Sequence, residues 1–139
     1  MDVVPVETHG PTEMDVVVAV VAEAVLLQDE AEAVLASVAR GEHLGLVAPR
    51  GGPVVRRFFA LRDELPRTDD PWLQTRVRTL DTVLLHHAMQ VATSMEFLAV
   101  AGRSERLTRL TGSYGDLGRP AELLEETWNE LKARRAGLG

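Results

Sequence analysis

The sequence predicts an all-α protein, an elongated bundle of four to five helices of which two are long. Three observations lead there. Two stretches, Thr12–Arg40 and Pro71–Ala101, run for about eight turns each without an internal glycine or proline. Apolar residues inside them recur at three- and four-residue spacing, the period of a helix face. Glycine and proline gather between these stretches, where they punctuate connections.

The elements follow in chain order. Residues 1–11 carry Pro5, Gly10 and Pro11 and form an N-terminal arm, with Val3, Val4 and Val6 available to a short strand. Residues 12–136 form one helical-bundle domain, as expected for a chain of 139 residues. Thr12 followed by Asp15 reads as a hydroxyl N-cap with an acid in the first turn. The helix it opens contains VVVAVVAEAVLL, Val16 to Leu27. Valine is a mediocre helix former, but no turn residue interrupts the run, and Ala31, Val34, Leu35 and Val38 continue it at helical spacing. Gly41 ends it.

Four glycines and two prolines between Gly41 and Pro53 predict a loop, and Pro53 at a first turn predicts a second helix ending before Pro66. Val54, Val55, Phe58, Phe59, Arg62 and Leu65 are its expected stripe. Asp70-Pro71 is an N-cap followed by proline at the first helical position. Leu73, Val77, Leu80, Leu84, His87, Val91, Ser94 and Leu98 then alternate by four and three, a bundle seam. Leu85, Met89, Met95, Phe97 and Val100 add apolar residues on other faces. Ser104 caps a short helix to Thr111, and a glycine-rich loop with Ser113, Tyr114 and Asp116 precedes a last helix, Pro120 to Arg135, buried through Leu124, Trp128 and Leu131.

Composition narrows the function. The formal charge of −6 opposes nucleic-acid binding as a main activity. No cysteine is present, so disulfides, thiolate metal sites and thiol nucleophiles are out. Lys132 is the lone lysine among fifteen basic residues, a bias expected of a GC-rich bacterial coding sequence. The N-terminus has no basic export signal, and the Val16–Leu27 run is short of the roughly 20 residues that span a bilayer. A cytoplasmic protein without membrane contact is expected.

Helix lengths predict an assembly. At 1.5 Å per residue the two long helices reach about 42 and 46 Å, beyond the roughly 37 Å diameter of a compact domain of this size. The second and last helices, end to end, make about one more rod. Three rods leave apolar faces of Val16–Leu27 and Val83–Val100 without cover. A homodimer is the expected remedy, because a two-fold interface uses one patch twice. Val17, Val20, Val21, Leu27, Leu84, Val91 and Met95 are its expected interface. Glu23, inside the valine run, either reaches solvent at the bundle surface or pairs with an arginine.

Candidate chemistry is sparse. Arg50-Gly51-Gly52, leading through Pro53 to Arg56 and Arg57, combines glycine amides, a helix N-terminus and guanidinium forks, the parts of an anion site. It lacks the Gly-Lys-Ser/Thr of a nucleotide loop. His86 lies on a polar stripe with Thr79, Thr82, Gln90 and Thr93 and is a candidate for ligand contact or phosphotransfer. His87 falls on the seam, about 100° away around the helix, so the two cannot share a metal. No Glu-x-x-His pair of a di-iron bundle is present. No catalytic residues, metal or cofactor are expected. The reading is a non-enzymatic interaction or adaptor module that binds itself and another protein. A small-molecule or anion-binding regulator using Arg50, Gly51, Gly52, Arg56 and Arg57 is the alternative, and phosphotransfer through His86 the third.

Overall fold

The computed structural model describes residues 12–101 and 117–137. The arm, the helix from Ser104 and the loop with Tyr114 lie outside them. The described residues form four helices and no strand: α1 (Glu13–Ala39), α2 (Leu44–Glu64), α3 (Pro71–Ala101) and α4 (Arg119–Arg135).

Local signals set most boundaries. Thr12 and Asp15 close a capping box: Thr12 Oγ1 accepts from the Asp15 amide at 3.1 Å, and the Asp15 carboxylate accepts from the Thr12 amide at 3.3 Å. Gly41, at φ 72°, ends α1 in a Schellman turn, with Gly41 N–H donating to the Val38 carbonyl and Glu42 N–H to that of Ser37. Asp70 Oδ1 accepts from the Trp72 and Leu73 amides and caps α3 as expected. Extended backbone at Leu65 precedes Pro66.

The region expected as a loop is the main departure. α2 begins at Leu44, with His43 as N-cap accepting from the Gly45 amide through Nδ1 at 3.0 Å, and continues through Pro49, Gly51, Gly52 and Pro53. Val47, Gly51, Val54, Phe58 and Leu61 are its buried residues. Their four-three spacing is one unbroken helix face, and burial along it outweighs the weak propensity of glycine and proline. Pro49 and Pro53 are four residues apart on the exposed side, where carbonyls freed by the missing N–H groups meet water.

Gly51 sits where the helices pack closely. A Cβ there would sit 2.4 Å from Met95 Sδ and 3.2 Å from Val34 Cγ1. α2 therefore lies close to both α1 and α3 at this level.

α2 packs most extensively on α3, and α1 packs on the other three helices. α4 packs on α1 and α3 but has little or no contact with α2. So α2 and α4 flank the α1–α3 pair on two sides instead of stacking end to end as one rod. This places most of the expected interface residues in the core of one chain. Val17, Val21, Leu84 and Val91 are fully buried within one chain, Val20 and Leu27 nearly so. These six residues are core, and no second copy is needed to cover them. Met95 alone of the expected interface residues remains half-exposed. The α3 seam is buried as expected from Leu73 to Leu98, with Val77 only partly so. Met89 and Val100, expected to be covered, are 49% and 54% exposed.

Outside the core, Trp72 at the start of α3 lies between the Arg76 and Arg134 guanidinium groups, at 4.3 and 4.6 Å from its ring centroid. Arg76 also reaches Glu130 at 3.3 Å. These contacts tie α3 to the end of α4. No helix among the described residues is long and apolar enough to cross a membrane.

Candidate functional site

Four places gather polar groups. The first is a cleft of about 500 Å³ between α1 and α2, walled by Glu23, Glu30 and Val34 on one side and Pro49, Arg50, Pro53 and Arg57 on the other. Its arginines are already engaged. Arg57 grips both Glu23 oxygens, one of them at 2.6 Å from Nη2, and donates to Glu64 at 3.0 Å. That hydrogen-bonded guanidinium holds the Glu23 carboxyl below its usual range, against a smaller opposing effect of burial. Arg50 donates to Ser37 Oγ at 3.1 Å and lies 3.9 Å from Glu42, which Arg40 also grips. Glu23 thus resolves to an arginine-paired carboxylate at a half-exposed position.

The expected anion site is not assembled. Gly51 and Gly52 lie inside α2, so their amides serve the helix and do not converge on a ligand. The α2 N-terminus is at Leu44, not Pro53, so its first-turn amides are about two to three turns before Arg56 and Arg57, and those of Gly45, Leu46 and Val47 already donate to His43. Arg50 and Arg57 share the α1–α2 cleft, while Gly52 and Arg56 face a different groove. His86 is exposed and stands apart from both.

The second place is in the core. His87 is fully buried, and its Nε2 lies 2.8 Å from Gln28 Oε1. An amide oxygen only accepts, so with Gln28 in this orientation His87 Nε2 is the donor. Phe58 meets the ring edge-on at 5.3 Å. Nδ1 has no partner, nor does the Ser94 hydroxyl two turns along α3. Burial, aided by the neighbouring charge of His86, pushes the His87 pKa down to about 4. A neutral imidazole inside a core orders its surroundings but has no access to a substrate.

The third is a shallow groove of about 420 Å³ between α2 and α3. Leu44, Ala48, Gly52 and Val55 form one wall, and Ala92, Met95 and Ala99 the other. Arg56 stands on the α2 side and Glu96 on the α3 side. Both are exposed, and neither forms an ion pair among the described residues. The exposed Met89 and Val100 flank Glu96 along the α3 edge, at seven- and four-residue spacing. The sequence reading placed Arg56 and Met95 in different sites and did not select Glu96, Ala92 or Ala99. Their signal was the spacing of residues 89, 92, 96 and 99, one helix face beside the seam.

An acidic groove between α1 and α4, with Asp29, Glu32, Glu122, Glu125 and Glu126, completes the surface. Among the described residues no three histidine or carboxylate side chains are placed to hold a metal ion. No protein-family model, curated protein or solved structure matches the chain.

Proposed function

We propose that this chain is a non-enzymatic protein–protein interaction module whose docking face is the α2–α3 groove. One observation carries the reading: half-exposed Met89 and Val100, a set of small residues and two charges that form no ion pair among the described residues lie together on one surface. Small residues let a partner helix approach closely, exposed apolar side chains supply the burial, and the rim charges set its register. The anion-binding alternative is weakened by the same geometry, since Arg57 and Arg50 are held by the chain's own carboxylates and serine.

The test is site-specific photocrosslinking in cells, with a photoreactive amino acid at Ala99 in the groove and, as control, at exposed Asn129 on α4. A discrete adduct from Ala99 and none from Asn129 is expected. Equal labelling at both positions, or none at Ala99, overturns the assignment of this face.

A further inference from the structure

We propose that the occupant of the α2–α3 groove is a second copy of this chain, seated so that Arg56 of each copy meets the partner's Glu96. The inference rests on the reading of this groove as the docking face and deepens it. It does not use the buried valines that first suggested a dimer.

Charge placement carries it. The groove has one cation on its α2 wall and one anion on its α3 wall. Met95 packs over Gly51, which sets the two helices level there, and the Arg56 guanidinium folds back to within 3.4 Å of where a Gly52 Cβ would be. Glu96, the residue after Met95, leans toward the N-terminus of α3 as helical side chains do. The two charges therefore stand at nearly the same height on opposite walls. A half-turn about an axis along the groove lays α2 of one copy over α3 of the other. It brings each Arg56 opposite the partner's Glu96, twice by symmetry. A heterologous partner would need a matching acid and base of its own, whereas this chain already carries both in register.

The remaining features agree. Two copies of a chain with formal charge −6 repel overall, and a groove whose two charges cancel is a surface on which they can still meet. Gly52, Ala48, Ala92 and Ala99 leave room for closely packed antiparallel helices. From Leu44 to Val55 the groove runs only about 17 Å along α2, so the interface is small and the dimer exchanges with monomer.

The experiment is sedimentation equilibrium of the full chain across a concentration series, for the wild type, Arg56→Glu, Glu96→Arg and the double exchange. Arg56 and Glu96 are exposed and make no ion pair among the described residues, so unchanged circular dichroism is expected for every variant. The wild type should be a reversible dimer, each single variant should raise its dissociation constant by about tenfold or more, and the double exchange should restore it. A wild type that stays monomeric throughout, singles that match the wild type, or a double exchange that fails to recover would each overturn the proposal. Crosslinking from Ala99 separates the two claims. An adduct to a different protein, with a monomeric chain, removes the second copy but keeps the docking face; no adduct removes both.

Discussion

Acid should destabilise this protein through one buried imidazole. His87 is fully buried with a pKa of about 4, against an ordinary value of 6.5 in the unfolded chain. The native state therefore resists a proton that the unfolded chain accepts. The stabilisation from keeping His87 neutral is complete above pH 6.5, is lost as pH falls from 6.5 to 4, and changes no further below that. At about pH 5 nearly all unfolded chains carry the proton and only about a tenth of native ones do. The loss relative to neutral pH is about 2 kcal/mol. For a domain of this size that lowers Tm by roughly 6–8 °C. Urea unfolding followed by far-ultraviolet circular dichroism, at about pH 7.5 and about pH 5, measures it. The control is Gln28→Leu with His87→Leu, which removes the titrating group and the hydrogen-bond partner that would otherwise be stranded. Carboxylates such as Glu23 titrate in both proteins and cancel in the comparison. If the wild type and the double variant lose the same stability across this window, the imidazole is not desolvated in the core and the reasoning fails.

Further predictions follow from named contacts. Ser94→Ala should leave stability unchanged or raise it by about 1 kcal/mol, because the buried hydroxyl has no partner to lose; a clear loss in urea unfolding would mean that Oγ is satisfied. Gly51→Val should destabilise by about 1–3 kcal/mol in the same assay, since its branches meet Val34 and Met95 where even a Cβ is too close. Thr12→Ala should cost about 1 kcal/mol by removing one half of the capping box. Arg57→Ala should change stability little, because Arg57, Glu23 and Glu64 are all partly exposed, and added salt should shrink what difference there is.

Much of this architecture is local, and local features are legible in one sequence. The Thr12 and Asp70 caps, the Gly41 stop, the break at Pro66 and the α3 seam all depend on neighbours within a turn or two. The seam even located His87 in the core. Its hydrogen-bond partner is Gln28, 59 residues away, which no spacing rule pairs with it. The candidate site fared less well. Arg50, Gly51, Gly52, Arg56 and Arg57 are contiguous along the chain, but a helix turns them to different sides. The sequence signal for that helix was present in Val47, Val54, Phe58 and Leu61, and the glycines and prolines between them obscured it.

By itself the sequence determined that this chain is helical, where most of its helices start and stop, and which face of α3 is buried. These follow from backbone capping and from hydrophobic periodicity, which act over a few residues. Only the tertiary structure decided that α2 extends back to Leu44 and that most valines of α1 are buried against the other three helices of the same chain. It also decided that Arg56 and Glu96 share a groove while Arg57 belongs to Glu23. Those outcomes depend on which helix arrives against which face. That choice is made by burial and charge pairing between residues far apart in the chain.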